Sequence, residues 1–153
     1  IIGEVLMNHD GAGRFKAFSA GSQPKGEVHP EALKLLSGLG FSTVGLRSKS
    51  WDEFTGPGAP AFDFIFTVCD NAAGETCPVW VGHPMTAHWG IEDPAAASVA
   101  DQPEAFRQAV RYLRRRIELF LTLPLDSLDR MATERKLKEI GQSEGTTALR
   151  QDA

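Results

Sequence analysis

Residues 62–69 constrain the fold more than any other part of the chain, because they are almost continuously apolar and aromatic. A strand of this kind is typical of a parallel sheet that is buried on both faces. Shorter apolar runs bounded by turn residues predict further strands at 15–20 and 41–46, and extended pieces at 78–81 and 88–91. The chain is therefore expected to build its core around short strands that lie far apart in sequence.

Helices are predicted between these strands from apolar residues that recur every three or four positions. The strongest pattern covers 101–120, where Asp101 and Glu104 resemble a capping box. Weaker patterns predict helices over 1–9, 30–39, 50–54 and 128–140. Strands that alternate with helices favour an α/β fold, which we expect to be a three-layer sandwich with a parallel sheet flanked by helices.

Composition and charge exclude several classes of protein. With 153 residues, 42% of them hydrophobic and 24% charged, the chain is ordinary for a single globular domain. Residues 1–103 carry twelve acidic side chains against six basic ones, which argues against nucleic-acid binding. The run Arg114-Arg115-Arg116 is interpreted as a solvated helix face. No apolar stretch approaches the ~20 residues of a membrane span and no signal peptide is visible, so we expect a cytoplasmic protein without a membrane partner.

The two cysteines, Cys69 and Cys77, are the most informative residues for function. Cys69 ends the best predicted strand, at the end of a parallel sheet where sites form, and a loop of small residues allows the two thiols to meet. Such a loop suits a disulfide that forms and breaks during catalysis. Two alternatives stay open: a buried, structural Cys69, and a zinc site with His83 and His88, whose spacing differs from that of common zinc sites. We expect no metal.

A further candidate is Asp93, which precedes Pro94 in a long loop. An aspartate followed by proline is common in simple turns. An aspartate whose pKa is raised by burial can also act as a general acid that protonates a departing oxygen. Composition does not decide between the two interpretations.

Five short motifs occur together and in order: Ser19-Ala20-Gly21, Val28-His29-Pro30, Arg47-Ser48-Lys49-Ser50-Trp51, Thr67-Val68-Cys69-Asp70, and His88-Trp89-Gly90 through Asp93-Pro94. In this combination, residues 1 to about 124 resemble the arsenate reductases built on the low-molecular-weight tyrosine phosphatase fold. The resemblance implies a phosphatase-like α/β domain over 1–123. Residues 124–153 are then a C-terminal helical extension with a polar tail, which we expect to be disordered from Gly141.

The resemblance also implies a mechanism. In this family a cysteine in a phosphate-binding Cys-x5-Arg loop attacks arsenate, and the aspartate that matches Asp93 helps water leave. The cysteine that matches Cys69 then attacks the first cysteine and releases arsenite, and the one that matches Cys77 closes a disulfide with Cys69. Thioredoxin, glutaredoxin or a similar thiol reductant clears this disulfide, so no bound cofactor is expected. Ser19 matches a serine that supports the oxyanion loop.

The Cys-x5-Arg loop and the first strand of the family do not occur in the sequence, and Ile1 corresponds to the helix that follows that loop. We therefore expect that residues before Ile1 are missing and that residues 1–153 alone neither reduce arsenate nor hydrolyse phosphate esters. An unpaired edge of the strand predicted at 15–20 would favour a homodimer.

Two other functions compete with the reductase. The first is a phosphotyrosine or phosphomonoester phosphatase of the same fold, which does not need the cysteine pair. The second is a non-catalytic protein that binds thiol partners or a metalloid.

Overall fold

The computed structural model describes residues 1–69 and 80–147. The α-helices are α1 (Ile2–Asp10), α2 (Pro30–Gly38), α3 (Gln102–Leu121) and α4 (Arg130–Gly141). The strands are β1 (Phe64–Thr67) and β2 (Met85–His88), and short 3-10 helices lie at Trp51–Phe54, Pro94–Ala96 and Leu125–Ser127. None of the described helices is long and apolar enough to cross a membrane.

The chain divides into two compact units. The first unit comprises Ile1–Trp51 and Asp93–Ile117, and it contains α1, α2 and most of α3. The second unit comprises Asp52–Glu92 and Glu118–Ala153, and it contains both strands and α4.

The helices of the first unit bury the apolar faces that the sequence predicts. On α3 the buried side chains follow steps of three and four: Phe106, Ala109, Val110, Leu113 and Ile117. Leu6 on α1 and Leu36 on α2 are completely buried. Burying an aliphatic side chain of this size stabilises the folded state by about 1.5–3 kcal/mol. At the start of α2, Nδ1 of His29 accepts a hydrogen bond from the N–H of Glu31 at 3.1 Å and so caps the helix.

An ion pair joins α1 to α3. Arg114 donates hydrogen bonds to both carboxylate oxygens of Asp10 at 3.1 and 3.0 Å, and the ring of His9 lies 2.9 Å from the same carboxylate. The expectation of a solvated arginine face is wrong for Arg116, whose side chain is completely buried. Its guanidinium donates to the carbonyl of Tyr112 at 3.1 Å. Burial lowers the pKa of Arg116, and the charge of Tyr112 opposes this shift.

In the second unit β1 and β2 pair in parallel, with Phe64 opposite Met85 and Thr67 opposite His88. The parallel sheet is therefore confirmed. β1 is shorter than the predicted strand 62–69, and β2 ends at His88, the first residue of the predicted extended piece 88–91.

An aromatic cluster packs on these strands. The ring of Phe66 stacks on Trp89 with 3.8 Å between ring centroids, and Phe120 of α3 meets Phe64 and Phe66 edge-on at 5.1 and 5.5 Å. Phe120 is 1% exposed and Trp89 is 2% exposed. The aromatic rings thus form the interior of this unit, because each buries a large apolar area.

The helix α4 packs closely against β2. Its last residue is Gly141, where an added Cβ atom would lie only 2.5 Å from the carbonyl oxygen of His88. The indole Nε1 of Trp89 donates a hydrogen bond to the carbonyl of Leu137 at 3.0 Å. A side chain larger than hydrogen at position 141 would therefore push α4 away from the strand.

The segment that follows α4 returns to the end of β2. Thr146 forms an antiparallel bridge with Ile91, and the N–H of Thr147 donates to the carbonyl of Gly90 at 3.2 Å. Both threonines are buried. The expected disorder from Gly141 is therefore wrong for residues 142–147.

Residues 15–20 form no strand, contrary to the prediction. The side chain of Asn8 on α1 binds this segment instead, accepting from the N–H of Ala17 at 2.7 Å and donating to its carbonyl at 3.0 Å. An isolated parallel bridge follows between Gly21 and Ser50. The helix side chain thus satisfies backbone groups that a neighbouring strand would otherwise pair.

The strand predicted at 41–46 is also wrong. Val44 is 91% exposed, so the apolar residues of this segment do not share a buried face. Gly45 has a φ of +81° in a turn, a conformation that glycine adopts without strain. The piece predicted at 78–81 lies partly outside the described residues.

Candidate functional site

Cys69 lies just after β1, where the carboxyl ends of the two parallel strands meet. It is a half-buried free thiol. Its backbone neighbours are tied to the segment after β2, since the carbonyl of Thr67 accepts from the N–H of Trp89 at 2.7 Å and that of Val68 accepts from Ile91 at 3.1 Å. This is the end of a parallel sheet where functional sites form.

A side-chain hydrogen bond links the two strand ends beside this thiol. Oγ1 of Thr67 and Nδ1 of His88 lie 2.7 Å apart, and the two residues are direct register partners. Which group donates depends on the tautomer of the imidazole. This hydrogen bond joins the last residue of β1 to the last residue of β2, and Thr67 lies two residues before Cys69.

Cys77, the second predicted thiol, lies outside the described residues, as do the loop residues between 70 and 76. The disulfide between Cys69 and Cys77 therefore stays a prediction.

Asp93 lies in the first unit, whereas Cys69 lies in the second. One carboxylate oxygen of Asp93 accepts a hydrogen bond from the N–H of Ala95 at 2.9 Å and caps the 3-10 helix Pro94–Ala96. Asp93 thus forms the turn that its sequence context allows. The residue is exposed, so the described residues do not supply the burial that the general-acid interpretation requires. Its catalytic role stays a prediction.

Ser19 is held by Glu4 from the first turn of α1. One carboxylate oxygen of Glu4 accepts from the N–H of Ser19 at 2.9 Å and from its hydroxyl at 3.2 Å. The ammonium of Lys49 lies 3.7 Å from the same oxygen and donates to the carbonyl of Arg47 at 3.0 Å. The Lys49 and Glu4 side chains are only 7% and 14% exposed, so they form a buried ion pair.

Ser19 and Lys49 line a cavity of about 220 Å³ in the first unit. Its wall also includes Arg47, His29 and Glu27. The wall therefore holds two cationic side chains, two hydroxyls and an imidazole beside one carboxylate. Two of these groups, the Ser19 hydroxyl and the Lys49 ammonium, are already bound by Glu4.

The sequence assigned no role to Glu4, and it named Lys49 only as part of the motif Arg47-Ser48-Lys49-Ser50-Trp51. The available signal was the spacing of Glu4 and Asn8, two polar residues one turn apart on a helix with several buried positions. From sequence alone such a pair cannot be distinguished from a solvated helix face, because the backbone groups that it binds lie nine and fifteen residues away.

Among residues 1–69 and 80–147, no three His, Cys, Asp or Glu side chains come together as a metal site. Of the two histidines considered as zinc ligands, His88 uses its ring in another contact, since its Nδ1 lies 2.7 Å from Oγ1 of Thr67.

Comparisons with known proteins agree with this architecture. The family model of low molecular weight phosphotyrosine protein phosphatases matches residues 2–136. An arsenate reductase of Bacillus subtilis is 33% identical over 98 residues, which cover 63% of this chain and 67% of the relative. An arsenate reductase of Halalkalibacterium halodurans is 30% identical over 105 residues, which cover 67% and 72% of the two chains.

A solved structure described as an arsenate reductase in the reduced state is also similar. It has a TM-score of 0.58 and 25% sequence identity, and the match covers 76% of this chain and 82% of that one. The α/β fold with a parallel sheet and flanking helices is the fold of these relatives. The chain belongs to the low molecular weight phosphotyrosine protein phosphatase family.

Proposed function

We propose that this protein reduces arsenate to arsenite through a relay of thiols that ends in a disulfide between Cys69 and Cys77. The observation that carries the proposal is the place of Cys69, a partly exposed free thiol at the carboxyl end of a parallel strand. The relatives named arsenate reductases support the same reaction. Arsenate and a thiol reductant are the proposed partners.

Two thiols supply the two electrons of the proposed reaction. A first cysteine thiolate forms a bond to arsenic(V), and one arsenate oxygen leaves as water. The thiolate of Cys69 then attacks that first sulfur, so that a disulfide bond forms, the sulfur–arsenic bond breaks and its electron pair stays on arsenic as arsenite. The thiolate of Cys77 attacks Cys69, forms the final disulfide and releases the first thiolate. Thioredoxin, glutaredoxin or a similar reductant reduces this disulfide by the same type of exchange.

The first cysteine is not among residues 1–153, in which no cysteine is followed by arginine at the sixth position. The family resemblance assigns it to a Cys-x5-Arg loop that precedes α1. In the proposal Ser19, held rigidly by Glu4, supports that loop, and Asp93 provides the proton for the departing oxygen.

A phosphatase of the same fold explains the residues less well. Its chemistry requires the first cysteine and an acid, but no second or third thiol. Cys69 is only half-buried, so packing alone does not account for a thiol at this position.

The test compares residues 1–153 with the same chain preceded by a first strand and a Cys-x5-Arg loop of the family pattern. Arsenite release is measured with thioredoxin, thioredoxin reductase and NADPH. We expect repeated turnover only from the longer chain, one release of arsenite after Cys77→Ser and none after Cys69→Ser. Hydrolysis of p-nitrophenyl phosphate that is unchanged by Cys69→Ser, with no arsenite from any protein, would favour the phosphatase instead.

A further inference from the structure

Helix α4 and the following residues 142–147, together called the C-terminal brace, contact each of the four consecutive residues 88–91. Gly141 packs against the carbonyl oxygen of His88. The other three contacts are hydrogen bonds or bridges: Trp89 to Leu137, Gly90 to Thr147 and Ile91 to Thr146. All of these residues belong to the second unit.

The segment contacted by the brace is the same one that holds the backbone next to Cys69. His88 binds the side chain of Thr67 at 2.7 Å, and the N–H groups of Trp89 and Ile91 bind the carbonyls of Thr67 and Val68. Residues 88–91 therefore link the brace to the thiol-bearing strand end.

We propose that the C-terminal brace positions Cys69 for thiol exchange by fixing residues 88–91. The inference rests on the proposed function, because it assigns the brace a role in the attack of one sulfur on another. Such an attack depends on the distance and alignment of the sulfur atoms, and a displacement of about 1 Å can slow a reaction about 100-fold.

The brace contributes a small part of the apolar interior of the second unit. The buried side chains of α4 include only two large apolar ones, Leu137 and Ile140, beside Thr133 and Gly141. The strands are also packed by the cluster of Phe66, Trp89 and Phe120, of which only Trp89 is hydrogen-bonded to the brace among the contacts described above. A local displacement of the brace is therefore expected to shift the strand end while the aromatic cluster keeps the strands packed.

The test replaces Gly141 by alanine, because its Cβ would meet the His88 carbonyl at 2.5 Å. Gly38→Ala is the matched control, since Gly38 is also the last residue of a helix but nothing lies within 4 Å of its added Cβ. Two quantities are measured in the full chain: the rate of disulfide formation with diamide, and the pH profile of Cys69 alkylation by iodoacetamide in a Cys77→Ser background.

We expect Gly141→Ala to slow disulfide formation about tenfold or more and to shift the alkylation profile of Cys69, while Gly38→Ala changes neither. Equal rates and profiles in both variants would overturn the inference. A lower unfolding midpoint of Gly141→Ala with an unchanged Cys69 profile would also overturn it, because the brace would then be structural only.

If Gly141→Ala does not fold, as judged by far-UV circular dichroism, the same two measurements are made on Trp89→Phe instead. This variant keeps an aromatic ring but removes the donor to the Leu137 carbonyl. The same slowing of disulfide formation and the same shift of the Cys69 profile are expected, and their absence contradicts the brace. If the parent protein forms no disulfide, the proposed thiol relay is wrong. The alkylation profile of Cys69 still tests whether the brace positions this thiol, because that measurement does not need the disulfide.

Discussion

A single carboxylate oxygen of Glu4 accepts both the backbone N–H and the hydroxyl of Ser19, at 2.9 and 3.2 Å. The same oxygen lies 3.7 Å from the ammonium of Lys49, whose side chain is 7% exposed. Three groups therefore depend on one acceptor. Its removal leaves the buried ammonium of Lys49 and the half-buried amide of Ser19 without this partner.

The variant Glu4→Ala is accordingly expected to lower the free energy of unfolding by about 3 kcal/mol, because breaking a buried ion pair from one side strands the other charge. Glu4→Gln keeps an acceptor for Ser19 and should cost less. Urea denaturation measures both changes.

Glu104→Ala is the control for this prediction. Glu104 pairs with Arg107 on the surface, where the two side chains are 61% and 57% exposed, so its loss is expected to stay within about 1 kcal/mol. If Glu4→Ala and Glu104→Ala lower the free energy of unfolding equally, the buried ion pair stabilises the fold no more than the surface pair does.

The carboxyl of Asp10 predicts a pH-dependent stability. Burial alone would raise the pKa of this carboxyl, but the hydrogen bonds and charges of His9 and Arg114 outweigh it and hold the pKa below the ordinary 3.8. Since the folded protein binds this proton more weakly than the unfolded chain, Asp10 stabilises the fold above pH 3.8, and this contribution is lost as the pH falls through the folded pKa.

The measurement is the difference in free energy of unfolding between the parent protein and Asp10→Asn. We expect a larger difference at about pH 5 than at about pH 2. Other carboxylates titrate in both proteins and cancel. A difference that grows as the pH falls would contradict the assignment of a lowered pKa to Asp10.

Phe120 closes the aromatic cluster of the second unit and is 1% exposed. Phe120→Ala is expected to lower the free energy of unfolding by about 3–5 kcal/mol, since it removes a buried ring and leaves a cavity. Met131→Ala is the control, because Met131 on α4 is 71% exposed and its loss should change stability by at most about 0.5 kcal/mol. Guanidinium denaturation compares the two, and similar midpoints would mean that Phe120 is not part of the core.

The sequence predicts those elements whose pattern is local. α3 lies within one residue of the predicted 101–120, because its apolar residues alone fix its period and its buried face. The strand predicted at 15–20 does not form, and the reason is non-local. The side chains of Glu4 and Asn8 bind backbone groups of this segment, and these contacts cannot be predicted from residues 15–20 alone.

The candidate site shows the same difference between features that a local pattern predicts and features that depend on distant residues. The place of Cys69 follows from one apolar strand and could be predicted. The buried pair of Glu4 and Lys49 could not, because a charged residue on a short helix ordinarily indicates solvent. The return of residues 142–147 to Gly90 and Ile91 also escaped prediction, since polar residues such as Thr146 and Thr147 are typical of a solvated tail.

The variant Asp93→Asn distinguishes a role of Asp93 as general acid from its role in capping the 3-10 helix. Asn caps a helical turn as well as Asp does, so Asp93→Asn should keep the hydrogen bond to Ala95 and leave the unfolding midpoint unchanged. If Asp93 is the general acid, the same variant should slow the first arsenate-dependent step about 10²–10⁴-fold. Single-turnover rates in the chain that carries the Cys-x5-Arg loop measure this, and a loss below about tenfold would leave Asp93 with the turn role alone.

The most direct test of the proposed relay is the state of the two thiols in residues 1–153 after mild oxidation. The oxidised protein is alkylated, digested and analysed by mass spectrometry, then treated with thioredoxin and analysed again. The proposed relay requires an intramolecular disulfide between Cys69 and Cys77, which we expect thioredoxin to reduce completely. Two thiols that stay open to alkylation, or a disulfide that joins two chains, would contradict it.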